Sequence, residues 1–306
     1  MSENVACVTG GTGVIGRCIV RLLLNMGYEV RILSRKMHHK PEGNVVFFRG
    51  DLENKDSLVK FLQGGKLLFH CAGEKQDETK MKEINLRGTE QLFSLLKGSG
   101  IEYFCHLSSA GVIGKTNDKW VDENTPCIPQ NPYEVSKRDA ELVVLQGLPD
   151  CRIVILRPTN VVSKEQPGAL LLPIRGAWLD RLKTFIKGGE CAHVIHAEDV
   201  AHAAVHLISH TEDSPSCYFV SCDHEPSNTY GGLWLLYRAV AKGKSIGKVK
   251  PALHLPLAFP YILRKLWRGK GSFGDVRYSS AKLLATGFHF PLGVEGAARQ
   301  IAAKRR

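Results

Sequence analysis

Apolar and polar positions alternate along the first half of the chain in a pattern typical of strands followed by helices. Short apolar runs bounded by glycine or polar residues predict buried strands. We place them at residues 5–9, 29–33, 45–48, 67–70, 103–107 and 152–156. Helical spacing runs from Gly16 to Met26, from about Thr79 to Lys97, and from Pro132 onward. Strands that alternate with helices predict an α/β fold in which helices cover both faces of a parallel sheet.

The pattern is looser in the second half of the chain. Residues 168–187 look helical, apolar and basic, and the tail from Asn228 is rich in helical spacing and in proline and glycine breaks. Between these regions we predict a short strand at 193–196, a helix at 198–209 and a strand at 217–221. The segment from Leu253 to Trp267 is apolar with basic residues and is interrupted by two prolines. We favour a packed helix there over a helix on a membrane surface.

The first strand stops at a cluster of glycines that opens the first helix. Gly10, Gly13 and Gly16 have separate uses in such a loop. One permits the turn, one lets backbone N–H groups approach a pyrophosphate, and one lets the helix pack close to the strand. The helix N-terminus then presents free donors and a positive dipole end to the phosphates. Strand, glycine loop and helix in this order predict a dinucleotide-binding site.

The fold class that we predict is a Rossmann-type doubly wound parallel sheet with a smaller, helix-rich C-terminal subdomain. Residues 1–160 form the NAD(P)-binding domain, which residues from about 190 to 225 complete. Residues 161–189 and 226–306 form the substrate-binding subdomain. A ligand is expected at the carboxyl ends of the strands, which carry small or polar residues.

Composition narrows the class of protein. The chain has 306 residues, 43% of them hydrophobic, and no apolar run approaches the ~20 residues of a membrane span. The first strand begins directly after polar residues 1–4, so we expect no signal peptide. Nine cysteines without a Cys-x-x-Cys pair predict buried reduced thiols in a cytoplasmic protein, with no disulfide framework and no metal site.

The net charge of +11 leaves two interpretations open. A basic enzyme favours phosphorylated substrates, and a solvated basic surface explains the charge equally well. No nucleic-acid-binding motif accompanies the charge, so we expect a small-molecule substrate and no nucleic-acid partner.

Tyr133 and Lys137 are the strongest candidates for chemistry. Asn131 can cap the helix and Pro132 suits its first position, so the two side chains share one helix face. A nearby ammonium lowers the pKa of a phenol, and we expect Tyr133 to exchange a proton near neutrality. The same spacing recurs in two later pairs, Tyr261 with Lys265 and Tyr278 with Lys282. Those pairs lie outside the sheet domain, and we interpret them as ordinary helix surface.

Ser109 is the expected third member of this group. It follows the strand at 103–107, at the edge of the sheet where ligands gather. Its hydroxyl can hydrogen-bond a substrate oxygen and orient it toward Tyr133.

The chain resembles the extended short-chain dehydrogenase/reductase family, of the NAD-dependent epimerase/dehydratase, sugar-nucleotide type. The resemblance rests on Thr9-Gly10-x-x-Gly13-x-x-Gly16, Ser109 and Tyr133-x-x-x-Lys137. Further matching segments are Gly50-Asp51-Leu52, Cys71-Ala72-Gly73, Asn85-Leu86-Arg87-Gly88-Thr89, Leu156 to Val161, and His196 to Ala201. They occur in order over roughly residues 5–222. The family includes sugar-nucleotide epimerases, dehydratases and ketoreductases.

The resemblance implies hydride transfer with a nicotinamide cofactor. Tyr133 would donate or accept the proton, Lys137 would bind the nicotinamide ribose and tune Tyr133, and Ser109 would polarise the carbonyl or alcohol. The implied cofactor-binding residues are Gly10, Gly13, Val14, Ile15, Gly16, Ser34, Arg35, Asp51, Leu52, Cys71, Ala72, Gly73, Asn85, Tyr133, Lys137 and Pro158.

Two departures from the family pattern narrow the reaction. The dehydratases carry an Asp-Glu pair after the serine position, and here Ala110-Gly111 stands there. Dehydration is therefore disfavoured. NAD-specific members place an acidic residue at the end of the second strand, where this chain has Ser34-Arg35-Lys36. A serine and two cations suit a 2′-phosphate, so we expect NADP(H), with NAD(H) left open. NADPH favours net reduction.

The leading expectation is a cytoplasmic ketoreductase or epimerase acting on a nucleotide sugar. Residues 168–189 would contact the nucleotide, with Arg175, Arg181 and Lys183 as candidates. One alternative is a hydroxysteroid- or dihydroflavonol-type dehydrogenase with an apolar pocket formed by residues 170–174 and 253–257. Another is a dinucleotide sensor without catalysis. The resemblance also implies a homodimer that pairs through the helix bearing Tyr133.

Overall fold

The central sheet has seven parallel strands. The computed structural model describes residues 4–36, 43–210, 214–243, 253–268 and 274–303. The strands are β1 (Val5–Thr9), β2 (Glu29–Ser34), β3 (Val45–Arg49), β4 (Leu67–His70), β5 (Tyr103–Leu107), β6 (Trp120–Val121), β7 (Arg152–Pro158), β8 (Asn160–Val162), β9 (Val194–His196), β10 (Ser216–Val220) and β11 (Arg277–Tyr278). The sheet order is β3-β2-β1-β4-β5-β7-β10. This confirms the predicted doubly wound fold, and the order reverses between β1 and β4.

Helices cover both faces of this sheet. They are α1 (Gly16–Asn25), α2 (Lys55–Leu62), α3 (Glu78–Met81), α4 (Gly88–Ser94), α5 (Pro132–Val144), α6 (Leu171–Arg175), α7 (Trp178–Lys187), α8 (Ala197–His206), α9 (Tyr230–Ala241), α10 (Ala258–Arg268), α11 (Ala281–Ala285) and α12 (Gly293–Ala303). Side chains alternate between the two layers. Ala6 and Val8 pack in the core of α1, α8 and α12, whereas Cys7 packs in the core of α2 and α4.

Two small parallel sheets lie beyond the main one. β8 directly follows β7 and pairs with β9, and β6 pairs with β11. All nine cysteines are free thiols. Within the described ranges, no group of three or more His, Cys, Asp or Glu side chains is placed to hold a metal ion.

Two predicted helices are interrupted in the structure. The helix expected from Thr79 to Lys97 is divided into α3, a π-helical turn at Lys82–Arg87, and α4. The helix expected over 168–187 ends at Gly176, whose left-handed φ of +62° separates α6 from α7. A glycine accepts that conformation without strain, which explains the break.

The segment from Leu253 to Trp267 was predicted as a packed helix, and the structure has the helix α10 there. α10 does pack against α7, with Pro260 buried. However, most of its large apolar side chains are exposed, including Leu266 at 77%. Helical spacing identifies an amphipathic helix but does not say which side of it faces the protein. In the described part of the chain, no helix is long and apolar enough to cross a membrane.

Candidate active site

The glycine loop and the end of β4 touch at the point where the strand order reverses. Gly10 has a φ of +64°, and a Cβ atom there would lie 2.6 Å from the backbone nitrogen of Ala72. The Gly13 N–H donates to the Gly10 carbonyl at 2.9 Å. A Cβ atom on Gly16 would lie 2.2 Å from the same carbonyl oxygen. Gly10 and Gly16 are therefore required by backbone contacts within the protein itself.

The N-terminus of α1 is open to a ligand. No side chain caps it, and its first turn has no acidic residue. The N–H groups of Arg17 and Cys18 donate to the carbonyls of Gly13 and Ile15, at 3.1 and 2.9 Å, so it is the positive end of the helix dipole that remains available to an anion. Val14 and Ile15 are half-buried and pack against the core, which holds the loop in place. Such an arrangement suits a cofactor pyrophosphate.

Gly13→Ala should weaken dinucleotide binding, whereas Gly16→Ala should destabilise the fold. The only atom within 4 Å of a Cβ at Gly13 is the Gly10 carbonyl oxygen, at 3.1 Å, so folding should be nearly unchanged. Dinucleotide binding should weaken at least ~10-fold, because the methyl group occupies ligand space. Gly16→Ala should lower the free energy of unfolding by ~1–3 kcal/mol through the backbone clash. Urea unfolding and fluorescence titration with NADPH measure both. Equal destabilisation by the two variants would contradict the assigned roles.

α5 presents Tyr133 to Ser109. Asn131 caps the helix by accepting the Glu134 N–H at 3.0 Å, and Pro132 occupies the first turn, as predicted. The Tyr133 hydroxyl lies close enough to the Ser109 hydroxyl for the serine to affect the pKa of the phenol, and the Ser109 oxygen accepts the Gly111 N–H at 3.1 Å. The tyrosine is thus held in contact with the serine at the carboxyl end of β5.

The electrostatics of Tyr133 differ from the sequence-based prediction. Burial raises the pKa of its phenol, and the neighbouring Ser109 hydroxyl offsets only part of that rise. The spacing had predicted a pKa lowered by Lys137. The reason for the difference is that Lys137 directs its Nζ elsewhere, to the carbonyl oxygen of Leu107 at 2.5 Å. The protein alone therefore holds Tyr133 protonated at neutral pH.

Lys137 is buried beside the end of β4. Desolvation lowers the pKa of its ammonium to about 8, against the opposing effect of the Glu141 carboxylate. A Cβ atom on Gly73 would lie 3.7 Å from Nζ and 3.2 Å from Oδ1 of Asn85. Gly73 therefore keeps a space open next to both polar groups. Cys71 lies on the same strand end, and burial raises its pKa to about 12.

Asn85 fixes the loop that follows Gly73. Its Oδ1 accepts the Glu74 N–H at 2.8 Å, and its Nδ2 donates to the Glu74 carbonyl at 2.8 Å and to Ser136 Oγ at 3.0 Å. The π-helical turn carries Asn85 into this position between the loop and α5. Such turns are frequent at functional sites.

Behind Lys137 lies a buried ion pair that sequence reasoning missed. Glu141, one turn along α5, accepts two hydrogen bonds from Arg157, at 2.9 and 2.8 Å. The side chains are 0% and 3% exposed. Arg138 adds a third contact to Glu141 at 2.9 Å. The pair fixes α5 to β7 directly under the site. The sequence did contain one signal for Glu141: it stands four residues after Lys137 and therefore shares its helix face.

The candidate adenosine-side residues lie at the ends of β2 and β3. The backbone carbonyl of Ser34 accepts a hydrogen bond from the Gly50 N–H at 3.1 Å. The next residue, Arg35, is exposed. Asp51 accepts the N–H groups of the two residues that precede α2, both at 3.0 Å. Leu52 is buried against Gly88. Leu52 is therefore part of the packing, while Arg35 is accessible to a ligand.

The remaining predicted residues are Pro158 and the candidate substrate-binding residues. Pro158 is buried at the end of β7, opposite Val220 of β10. Among the candidate substrate residues, Arg175 pairs with the buried carboxylate of Asp180 at 2.9 Å. Leu170 is fully buried in the core, so it does not line an open pocket. Arg181 instead lines a cavity of about 300 Å³ between α7 and α9.

A second pair that the sequence did not reveal is His193 with Asp223. His193 adopts a left-handed φ of +54°, which is strained for a residue other than glycine. Its Nδ1 lies 2.6 Å from Asp223 Oδ2, and its ring packs edge-on against Tyr278. Tyr278 lies on β11 and Lys282 on α11, so this pair does not share a helix as expected. Lys282 donates to Ser216 at 2.7 Å.

Comparisons with known proteins identify the family of the chain and its fold. Residues 6–220 match the family described as the NAD dependent epimerase/dehydratase family. A crystal structure of a short-chain dehydrogenase/reductase superfamily protein from Agrobacterium tumefaciens with bound NAD has a TM-score of 0.75 and 20% identity. That similarity covers 99% of this chain and 97% of the other, and shows the shared fold.

Two relatives differ in what their names describe. A bifunctional UDP-glucose 4-epimerase and UDP-xylose 4-epimerase of Pisum sativum is 30% identical over 200 residues, which are 55% of this chain and 55% of that protein. The decarboxylating sterol-4-alpha-carboxylate 3-dehydrogenase of Mus musculus is 26% identical over 271 residues, which are 84% of this chain and 72% of that protein.

Proposed function

Because the chain belongs to the NAD-dependent epimerase/dehydratase family, we propose that it transfers hydride to or from a carbon of a nucleotide sugar, as a ketoreductase or epimerase. The observation that supports this most directly is that Tyr133, on the helix that also carries the buried Lys137, lies next to Ser109 at the carboxyl end of β5. A carbonyl oxygen between the two hydroxyls can accept a hydrogen bond from each of them.

The residues present suit a nicotinamide dinucleotide, which supplies hydride chemistry when bound. The open N-terminus of α1 would hold the pyrophosphate, and Gly73 would leave room beside Lys137 for the ribose and ring. In reduction, Tyr133 gives its phenolic proton to the substrate oxygen while Ser109 holds that oxygen in place. The raised pKa of Tyr133 keeps this proton available at pH 7, which favours reduction.

We further propose a preference for NADPH, based on the exposed Arg35 at the end of β2. A guanidinium binds a 2′-phosphate with charge-assisted hydrogen bonds and gains less from a 2′-hydroxyl. Arg35→Ala should weaken NADPH binding ~10-fold and leave NADH binding within ~2-fold. Lys66→Ala is the matched control. It removes an exposed cation at the amino end of β4, whereas Arg35 lies at the carboxyl end of β2. Equal losses for both dinucleotides in Arg35→Ala would reject the preference.

The nucleotide-sugar substrate is supported by the pea relative, whose printed name describes an epimerase of UDP-sugars. The basic net charge of +11 is also favourable for a diphosphate-linked substrate. The epimerase reaction and the ketoreductase reaction need the same Ser109 and Tyr133 contacts, so the site is compatible with both.

A second candidate function is reduction or oxidation of an apolar ring substrate, such as a sterol. It is favoured by the mouse relative, whose similarity extends over 84% of this chain rather than 55%. In addition, one of the predicted nucleotide contacts is engaged elsewhere, since Arg175 pairs with the buried carboxylate of Asp180.

A paired assay separates these functions. The purified protein is incubated with NADPH and either UDP-, GDP- and dTDP-linked 4-keto sugars or 3-keto sterols, and NADPH oxidation is followed. Epimerisation of UDP-sugars in the presence of NAD is followed in parallel, because an epimerase consumes no cofactor in net turnover. The proposal expects turnover with at least one sugar substrate, and Tyr133→Phe should abolish it. Turnover with sterols alone would replace it by the second candidate. No hydride transfer with either panel, in protein that still binds NADPH, would favour a dinucleotide sensor.

For the assembly we propose a cytoplasmic homodimer that pairs through α5. Val135 and Leu142 are exposed on this helix and lie two turns apart, on one face. Sedimentation equilibrium of the wild type and of Leu142→Glu tests this. A monomeric wild-type protein would reject it.

A further inference from the structure

The exposed side of α10 is a continuous apolar stripe. Phe259, Ile262, Leu263 and Leu266 are all exposed, and Leu266 reaches 77%. Their spacing of three and four residues places them on one helix face. Residues on the other side, including the buried Pro260, face the protein. The apolar stripe of α10 therefore points away from the core.

α7 has the same inverted arrangement. Its exposed residues include Trp178 at 73%, with Leu179 and Leu182. The residues it buries are polar: Asp180 is 2% exposed, and the Thr184 hydroxyl donates to the Asp180 carbonyl at 2.9 Å. A helix that buries its polar residues and exposes its apolar ones presents an apolar surface to whatever covers it.

The two helices are neighbours. The Leu255 N–H donates to the Phe185 carbonyl at 2.8 Å, and His254 packs over Gly188, where a Cβ atom would clash at 2.5 Å. This contact places the start of α10 against the end of α7. We call the exposed apolar residues of α7 and α10 together the α7/α10 face.

The sequence between Glu225 and Asp275 contains nine basic residues and no acidic one. Of these, Arg238, Lys242 and Lys265 are exposed in the described part of the chain. On α7, Arg181, Lys183 and Lys187 are exposed. Arg181 and Arg238 also line the cavity of about 300 Å³ next to α7, together with the aromatic Trp234. That cavity offers two guanidinium groups to an anionic headgroup.

We propose that the α7/α10 face binds the surface of a membrane that contains anionic lipids. An apolar stripe with an aromatic residue, bordered by Lys and Arg, is the pattern by which amphipathic helices lie in the interface of an anionic bilayer. A second copy of the chain suits the face poorly, because its exposed cations would meet their own copies. The proposal does not depend on the proposed enzymatic function.

Vesicle co-sedimentation of the full-length protein tests this proposal. The wild type is mixed with phosphatidylcholine vesicles, or with the same vesicles containing phosphatidylglycerol. We expect at least ~10-fold more binding to the anionic vesicles, and a decrease at high salt. The double variant Ile262→Glu/Leu266→Glu should reduce that binding ~10-fold or more. Val59→Glu replaces an exposed apolar residue on α2 and should bind like the wild type.

Folding and self-association are measured on the same samples. Both variants change exposed side chains, so their thermal midpoints and NADPH affinities should equal those of the wild type. The fluorescence of the exposed Trp178 should shift to the blue on anionic vesicles. Absence of vesicle binding by the wild type would overturn the proposal. So would a dimer that Ile262→Glu/Leu266→Glu dissociates and Leu142→Glu does not, since the α7/α10 face would then be an interface between copies.

Discussion

Replacement of Tyr133 by phenylalanine should lower kcat by ~10²–10⁴-fold while the affinity for NADPH stays within ~2-fold. The phenol lies next to Ser109 and holds a dissociable proton at the carboxyl end of β5. Phenylalanine keeps the packing of the half-buried ring but cannot transfer a proton. Steady-state kinetics with the accepted substrate and a separate NADPH titration measure the two effects.

Tyr261→Phe is the matched control for this variant. Tyr261 and Lys265 repeat the Tyr-x-x-x-Lys spacing on α10, with the Lys265 ammonium 5.9 Å from the ring centre. Its kcat should equal that of the wild type, because nothing places Tyr261 near the glycine loop. A similar loss of activity in both variants would mean that the effect of Tyr133→Phe is general and not catalytic.

The pH dependence gives a further check on Tyr133. Reduction needs the protonated phenol, so its rate should be flat from pH 6 to pH 9, below the raised pKa. Oxidation needs the phenolate, so its rate should rise with pH across the same range, by up to ~10-fold per unit. A plateau of the oxidation rate near pH 7 would support the lowered pKa that the sequence predicts.

The fold was predictable because buried parallel strands read as apolar runs that end in small or polar residues. β1 with its glycine loop and α5 with its Asn131 cap follow from local rules, since the residues that determine them are adjacent in sequence. The candidate site gathers at strand ends for the same reason. The sequence therefore located Ser109, Tyr133 and Lys137 on neighbouring elements.

Apart from the break at Gly176, which is local, the departures depend on contacts between residues distant in sequence. The π-helical turn forms where the Asn85 amide hydrogen-bonds the backbone of Glu74 and the hydroxyl of Ser136. The left-handed His193 is held by Asp223, which is far away in sequence. The pKa of Tyr133 depends on the direction of the Lys137 ammonium, and spacing alone does not determine that direction. Periodicity likewise cannot tell whether an apolar stripe such as that of α10 faces the core or a partner.

Glu141→Leu should destabilise the protein by ~3–5 kcal/mol. The substitution keeps the side-chain volume but removes the carboxylate that accepts both hydrogen bonds from Arg157. Arg157 is 3% exposed, and its Nη1 already lacks a hydrogen-bond partner, so its charge would be left buried without compensation. The loss of the carboxylate should also lower the pKa of Lys137 below about 8, because Glu141 opposes the effect of burial there. Urea unfolding at pH 7 measures the change in stability.

Two comparisons identify the buried charge as the cause. The double variant Glu141→Leu/Arg157→Met should recover most of the lost stability, because a buried ion pair replaced by apolar residues of similar size is often neutral. Glu295→Ala breaks the exposed pair with Arg299 on α12 and should cost less than ~1 kcal/mol. If Glu141→Leu cost no more than Glu295→Ala, the pair would not fix α5 to β7. If the double variant were as unstable as the single one, the loss would come from repacking around residue 141. Recovery in the double variant alone would show that Glu141 is needed chiefly to neutralise Arg157 beneath the site.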